Sequence, residues 1–476
     1  MRYGFRQCHF CRVDQETAWW TTVVFGADDN SDLPRYLQIV ADIERAVDTR
    51  TLTYGRRLPA ERTLAAALCV SRGTVVRAFE ELAERGVVER VHGSGTFVRP
   101  RPAARRPVAR HIDSPVYDIG DIIDLSQPAP ADPSHLPDID WGFDPAAHGS
   151  GSAARGLPIL RQALAAQLTG LGLSTEPDQI IVTTGSAEAL ELILRSNAKR
   201  PAVVSAPMWP ALRSVVTDHT ATPLCVHSDA GGIDPAAVRR ALRRTRASVA
   251  IFDTVESGPS GRRTTASRLP RIAGAIEDNT VAAVEDLSFF PIEAACDPQA
   301  RPLAALSERV IAIGDLSRVL WAGCGVGWIR EAAPIESSLA AFPRLPRPAV
   351  SAQVHAARLL EATDRRWFAA RRHHLAEQVG YLRSMLEKAV PSWTVEQATS
   401  GDGVWVRMPV VDASTFAHVA AHGGVCVGVG GDCVTDGGLR EYISVSAAAD
   451  TATLESAVDR LAEAWATYTQ RLAASV

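Results

Sequence analysis

The stretch from Gly55 to Val98, GRRLPAERTLAAALCVSRGTVVRAFEELAERGVVERVHGSGTFV, constrains the fold of this 476-residue chain more than any other. Small and apolar residues recur at helical spacing over Ala60–Leu68, and Cys69-Val70 makes a short turn. Ser71 then stands where its oxygen can accept from the free N–H groups of a second helix. Val75, Val76, Phe79 and Leu82 give that helix an apolar side. Gly86 marks its stop, since glycine tolerates the left-handed conformation a helix end requires. Val87–Val91 and Thr96–Val98 read as two short strands around His92-Gly93-Ser94-Gly95. Ahead of them, Pro34–Thr49 carries Tyr36, Ile39, Val40, Ile43 and Val47 on one helical face. Helix, turn, helix, ribbon is a winged helix-turn-helix, whose second helix enters a DNA major groove.

The polar groups suit that task. Ser71, Arg72 and Thr74 fall in the first turn of the recognition helix, and Arg77 one turn on. An arginine such as Arg72 can contact guanine bidentately or pair with phosphate. Arg62 falls in the first turn of the preceding helix, where backbone N–H groups also favour phosphate. The wing, His92, Gly93, Ser94 and Gly95, can bring its backbone close to the duplex. The plainer alternative is a solvated helical domain with ordinary surface arginines. The occurrence of every part in order favours the DNA interface.

These residues resemble the GntR superfamily of bacterial transcription regulators over Leu33–Val98. Leu58-Pro59-Ala60-Glu61-Arg62 is similar to the family's LPSER-type entry. Val70-Ser71-Arg72-Gly73-Thr74-Val75-Val76-Arg77-Ala78-Phe79 is closer to its MocR subgroup. Many relatives place arginine directly after the Thr-Val pair; here that position is Val76, and Arg77 follows.

Charge divides the chain. The overall net charge of -4 hides ten arginines against eight acids in Leu33–Val98 and five arginines with no acid in Arg99–Arg110. A basic front on an acidic rear suits a DNA reader joined to something else. Residues 99–120 read as an Arg/Pro-rich linker, and 1–32, which show no clear period, as an extension expected to be disordered. Of eight cysteines, only Cys8 and Cys11 lie close together, which is a weak zinc signal, and no metal is expected. The others look like small core residues of a reduced, cytoplasmic protein. No run approaches a membrane span, so no membrane partner is expected.

From Ile122 short apolar runs alternate with helical segments: Ile180–Thr183, Ala202–Ser205, Ser248–Phe252, Val281–Glu285, Val310–Ile313 and Val326–Ile329. That alternation predicts a mostly parallel sheet covered by helices. Ala352–Lys388 reads as long helix with one break. Strands at Trp393–Val395, Gly403–Met408, Val425–Val427 and Tyr442–Val445, with helices near Asp412–Ala421 and Thr451–Leu472, predict a smaller α+β part. The fold class is therefore multidomain, with an α/β winged helix-turn-helix at 33–98 and an α/β domain at 121–476. The latter divides into a large part at about 121–345 and a small part at about 346–476.

The motif order of this rear domain resembles the aminotransferase-like, fold-type I pyridoxal-phosphate (PLP) enzymes. Arg155-Gly156-Leu157-Pro158 is similar to a YGDPRGLPELR-type segment, and Thr183-Thr184-Gly185-Ser186-Ala187 to the glycine turn whose helix binds the PLP phosphate. By the resemblance, Trp209 falls where relatives stack an aromatic ring on the pyridine. Asp286 falls where they keep a carboxylate at its nitrogen, and Arg440 where they bind an amino-acid carboxylate.

The pattern then fails where the chemistry lives. Against GTFSKTLFPGLRLGY this chain reads Gly314-Asp315-Leu316-Ser317-Arg318-Val319-Leu320-Trp321-Ala322-Gly323-Cys324-Gly325-Val326-Gly327-Trp328. The Schiff-base lysine is replaced by Arg318, a phosphate-binding arginine by Gly325, and a phosphate-binding Ser or Thr by Asp315. A guanidinium stays protonated and cannot attack an aldehyde as an amine does. The two lysines of the chain, Lys199 and Lys388, fall far from this segment. The sequence thus predicts a DNA-binding transcription regulator whose rear domain dimerises and senses an effector without covalent PLP, and no catalytic residue. The alternatives are a PLP-binding MocR regulator and, third, a PLP-dependent aminotransferase. The expected partners are a double-stranded DNA operator, a second copy of the chain and a small anionic or amino-acid-like effector. That effector's pocket is expected from Ser186, Ala187, Trp209, Asp286, Asp315, Arg318, Gly325 and Arg440.

Overall fold

The computed structural model describes residues 34–48, 52, 56–68, 70–85, 87–91, 95–98, 122–127, 129–130, 132–151, 153–195, 200–221, 223–255, 258–260, 263–332, 347–397 and 401–474. Contacts divide the chain into a front unit, Met1–Ala109, and a rear unit, Arg110–Val476. The expectations for the 1–32 extension with Cys8 and Cys11, for the 99–120 linker, and for Cys69, Gly86, His92, Gly93, Ser94 and Lys199 lie outside the described residues.

The front unit has helices α1 (Arg35–Asp48), α2 (Glu61–Ala67) and α3 (Arg72–Glu84), then strands β1 (Val88–Val91) and β2 (Gly95–Val98). The apolar face of α1 is buried as its spacing predicts: Ile39, Val40, Ile43, Ala46 and Val47 pack against Val75, Ala78, Phe79 and Leu82 of α3. Burying each large side chain contributes about 1.5–3 kcal/mol. The antiparallel ribbon runs Val88 opposite Val98, and it is broader than the sequence suggests. Leu58 N–H donates to Thr96 O and Val98 N–H to Arg56 O, so residues 56–58 flank β2.

The rear unit holds two sheets. After β3 (Ile123–Leu125) come α4 (Pro158–Gly170), β4 (Ile180–Thr183), α5 (Ser186–Arg195), β5 (Ala202–Ala206), α6 (Pro210–His219), β6 (Pro223–Asp229), β7 (Gly232–Ile233), α7 (Pro235–Thr245), β8 (Val249–Phe252), α8 (Leu269–Asp278), β9 (Ala282–Asp286), α9 (Phe290–Ala295), β10 (Val310–Asp315) and β11 (Gly327–Arg330). These strands form an eight-stranded sheet in the order β4-β11-β10-β9-β8-β5-β6-β7. The centre from β10 to β6 is parallel, and β11 runs antiparallel to both its neighbours. Every residue of β4, β5 and β8 is buried, as strands covered on both faces require.

The rest comprises α10 (Val350–Ala362), α11 (Arg365–Ala389), β12 (Thr394–Val395), β13 (Gly403–Arg407), α12 (Ser414–His422), β14 (Val425–Val429), β15 (Tyr442–Ser446) and α13 (Thr451–Ala474). The predicted helix break falls at Thr363-Asp364, where the Asp364 carboxylate accepts from Trp367 N–H at 2.8 Å.

Two boundaries need correction. The small sheet runs β12-β13-β15-β14-β3, so the strand at 123–125 belongs to the small part and not to the large one. Conversely α10 and the first turns of α11 pack in the large core through Ala356, Leu360, Phe368 and Leu375. Only from Val379 does α11 join the small core. The chain thus crosses between the parts twice, and one helix belongs to both cores.

Candidate functional site

In the front unit, Ser71 caps α3 as its position predicts: its Oγ accepts from Thr74 N–H at 3.1 Å. That Oγ also lies 2.8 Å from Thr74 Oγ1, so the two hydroxyls serve the helix end and each other. Arg72 is exposed and reaches back to α2, where its guanidinium meets Glu61 Oε2 at 3.1 Å. Arg77 lies over the Tyr36 ring at 4.0 Å and donates to the Tyr36 hydroxyl at 3.2 Å. Arg62 is exposed on α2, and its side chain makes no hydrogen bond or ion pair among the described residues. Sequence reasoning placed these cations but not their partners, because Glu61 and Tyr36 sit on other helices.

The rear unit has a cleft of about 800 Å³, open solvent included, between its two parts. Leu125 and Ser126 reach it from the end of β3, Met208 and Trp209 from the start of α6, Asp253 from the end of β8, and Asp402, Trp405 and Ser444 from the small sheet. Arg318, in the turn after β10, forms part of its wall. The Arg318 side chain is only 1% exposed and lies 3.8 Å from Asp402 Oδ2. Its guanidinium carbon sits 5.4 Å from the Trp209 ring and 5.6 Å from the Phe289 ring.

Two buried carboxylates stand behind it. Asp286 Oδ1 accepts from Ser288 N–H at 2.9 Å and Ser288 Oγ–H at 2.5 Å. Its Oδ2 is buried with no hydrogen-bond partner among the described residues. Burial pushes the Asp286 carboxyl above the usual carboxylate range, against the opposing pull of Arg318 and Ser288. Asp315 ends β10 and points at the start of α5: Oδ1 accepts from Ser317 N–H at 2.9 Å and Oδ2 from Ser186 N–H at 3.4 Å. Burial raises this carboxyl too, and hydrogen bonds from Ser317 and Ser186 hold it back. The fit is close, since a Cβ on Gly185 would stand 2.9 Å from Asp315 Oδ2.

The expected pocket is thus only partly assembled. Trp209 and Arg318 line the cleft, and Asp286 and Asp315 act on Arg318 electrostatically. Ser186 is fully buried behind the Asp315 carboxylate and Ala187 packs with the α5 core, so neither lines the cleft. Gly325 is exposed, at a left-handed φ of 57°, and contributes no group. Arg440 needs correction: it is exposed in the turn before β15 and is not a lining residue. The face of β15 turned to the cleft carries Ser444 and Ser446, and period-two alternation sets which residues share it. Asp402, Asp253 and Trp405 were missed, because no local motif marks them and only the fold gathers them.

Comparison with known proteins agrees with both units. Residues 35–98 match the family of bacterial regulatory proteins described as gntR family, and residues 150–461 match aminotransferase class I and II. The chain is 29% identical over 314 residues to the HTH-type pyridoxine biosynthesis transcriptional regulator PdxR of Corynebacterium glutamicum, a match spanning 62% of this chain and 66% of that one, just short of two thirds. It is 23% identical over 447 residues to the HTH-type transcriptional regulator YdfD of Bacillus subtilis, spanning 84% of this chain and 89% of that one. Among solved structures it is similar to LysN, an alpha-aminoadipate aminotransferase of Thermus thermophilus, with a TM-score of 0.63 and 21% identity over 75% of this chain and 94% of that one. An archaeal alanine:glyoxylate aminotransferase gives a TM-score of 0.62 at 21% identity over 72% of this chain and 90% of that one. At such identity the solved structures speak for the fold alone.

Proposed function

This chain belongs to the aminotransferase class I and II family and carries a gntR-family helix-turn-helix domain ahead of it, and we propose that the rear unit serves the front one as a sensor and dimerisation module without covalent PLP. The protein is a DNA-binding transcription regulator. Its contacts to DNA run through Arg62, Arg72 and Arg77, with Ser71 and Thr74 ordering the first turn of the recognition helix. It works in the cytoplasm as a homodimer that sets two front units on two half-sites.

Arg318 carries the non-enzymatic part of this reading. It is buried beside Trp209, where the family keeps its reactive amine, and a guanidinium cannot serve as one. Two further groups oppose the cofactor. The Asp315 carboxylate accepts the Ser186 N–H at the start of α5, where a phosphate would bind, and Gly325 has no side chain to answer a phosphate charge. Lys388 is exposed in the last turn of α11. The residues present therefore do not fit PLP. The alternative, a PLP-sensing regulator, draws on the name of the Corynebacterium relative, and the same three residues weigh against it. One preparation tests both halves. The purified protein should stay colourless with added PLP and retard DNA from upstream of its own gene. A yellow protein overturns the first half, and failure to select that DNA over unrelated duplex overturns the second.

A further inference from the structure

We propose that helix α7 of the rear unit is a second DNA-contacting surface, which grips the phosphate backbone of duplex flanking the operator without reading its sequence. This rests on the reading above, in which the front unit holds that operator. The helix is firmly built into the rear unit. The Asp234 carboxylate caps it, accepting from Ala236 N–H at 2.9 Å and Ala237 N–H at 3.1 Å, and Pro235 opens its first turn. Val238, Ala241 and Leu242 are buried in the large core. The other face carries Arg239, Arg240, Arg243 and Arg244, all exposed, and Arg246 follows at the helix end. At 3.6 residues per turn those four arginines cover about 140° of the helix surface, opposite the buried side. The helix itself contains no acidic residue.

The fold accounts for few of these charges. Among the described residues, the side chains of Arg239, Arg243, Arg244 and Arg246 make no hydrogen bond or ion pair, and Arg240 meets only Asp234, at 3.7 Å, with its own side chain 72% exposed. Exposed arginines elsewhere are answered one turn away: Arg195 by Glu191 at 2.9 Å on α5, and Arg85 by Glu81 at 2.8 Å at the end of α3. On α7 the neighbours one turn away are arginines again, Arg239 with Arg243 and Arg240 with Arg244, and such like-charge pairs destabilise a helix. The helix dipole favours cations in the last turn, which covers Arg243 and Arg244 but not Arg239 and Arg240. The rear unit is acidic as a whole, so this face is not an instance of a general basic character. A row of exposed guanidiniums kept against their own repulsion fits a polyanion. The protein is a DNA-binding regulator, and the chain that joins its units keeps duplex at high local concentration around α7. The four arginines span about 8 Å of helix axis at 1.5 Å per residue, a reach suited to neighbouring phosphates.

The test is a mobility-shift titration of the full-length protein, at several salt concentrations, on two duplexes. One is the upstream DNA trimmed to its half-sites, and the other carries the same half-sites between flanks of unrelated sequence. The flanked duplex should bind at least about tenfold more tightly at low salt and with a steeper salt dependence, since each phosphate contact adds about 0.9 to the slope of log K against log salt. Replacing Arg239, Arg240, Arg243 and Arg244 together by Gln should abolish both advantages and leave binding to the trimmed duplex unchanged. Replacing the same four by Lys should keep most of the advantage, with thermal melts showing both variants folded. No gain from flanks in the unaltered protein, a gain that survives the Gln variant, or an equal loss on both duplexes would overturn the inference. The two failures separate. Failure to select the trimmed duplex over unrelated DNA sinks the parent reading. Selection of it with no gain from flanks sinks this inference alone.

Discussion

The first turn of α3 in the front unit and the first turn of α5 in the rear unit start from the same physics. Each exposes unpaired backbone N–H groups with partial positive charge, a natural seat for phosphate. At α3 the cap is local: Ser71, one residue ahead, takes the Thr74 N–H and leaves Arg72 exposed beside it. At α5 the cap is remote: Asp315, at the end of a strand 129 positions along, brings a full charge to the Ser186 N–H and is itself buried. A local neutral cap orders a helix and leaves its ligand surface open. A remote charged one fills the surface. On the reading proposed above, one unit has kept its ligand end and the other has closed it with its own side chain.

The largest expected effect comes from trying to reopen the closed end. Arg318→Lys supplies an amine but leaves Asp315 at the start of α5, so it should stay nearly colourless with PLP. Arg318→Lys with Gly325→Arg and Asp315→Thr should turn yellow. A unit charge at about 4 Å is worth roughly 4 kcal/mol at an effective dielectric of 20, so exchanging an anion for a cation is worth orders of magnitude in affinity even after discounting. Gly325 sits at a φ of 57°, where a side chain costs about 1–2 kcal/mol, and a Cβ there meets nothing within 4 Å. Visible absorbance during PLP titration decides it. Strong colour in the single variant would show that Asp315 does not close this end.

The comparison also sets how each unit answers a core defect. The front unit has a small core, and Phe79 is wholly buried at its centre. Phe79→Ala should cost about 3–5 kcal/mol, most of what a domain of this size possesses. DNA retardation should vanish while the rear unit's calorimetric transition holds its temperature. A shift of both transitions together would show that the units do not fold independently.

Much of this was legible in the sequence, and the failures share a cause. The buried central strands announce themselves as β-branched runs. β6 was passed over because Pro223, His227 and Asp229 interrupt its pattern, which a half-buried strand flanked on its outer side only by the two-residue β7 tolerates. β3 is three residues long and pairs with β14 some 300 positions away, so no window contains both. The cleft follows the same rule. Trp209 and Arg318 could be placed by motif, whereas Asp402 and Asp253 are brought in by the packing of two sheets. Arg440 was misplaced because it lies in the turn ahead of β15, next to Leu439 with its φ of 55°, where the alternation of the strand no longer sets the direction of a side chain.

A smaller effect is expected at the open end itself. Arg72→Ala should weaken DNA binding by about 1–3 kcal/mol if Arg72 reads a base. Its exposed pair with Glu61 must open first, so Glu61→Ala should tighten binding by up to about 1 kcal/mol. Mobility-shift titrations at fixed salt measure both. Unchanged affinity and sequence preference in Arg72→Ala would remove it from the interface.

The smallest effect sharpens the contrast between the two caps. Ser71→Ala removes one acceptor from an exposed helix end, where water can take its place. The expected cost is about 1 kcal/mol of front-unit stability, within the 0.5–2 kcal/mol typical of lost N-caps. Asp315→Ala removes a charged acceptor from the buried Ser186 N–H, but it also relieves the burial of an anion. Those contributions oppose each other, so the rear unit should change less than loss of its hydrogen bonds alone would suggest, and less at high pH than at low. The sign follows from linkage. Burial raises the Asp315 carboxyl above its ordinary value, so its contribution to stability is largest when it is protonated and falls as pH rises through the folded value. Ser71→Ala has no titrating group and should shift the front unit's melting temperature equally at every pH. Calorimetric scans of both variants across the acidic range measure this, and a pH-independent deficit in Asp315→Ala would mean that Asp315 acts as a neutral cap like Ser71.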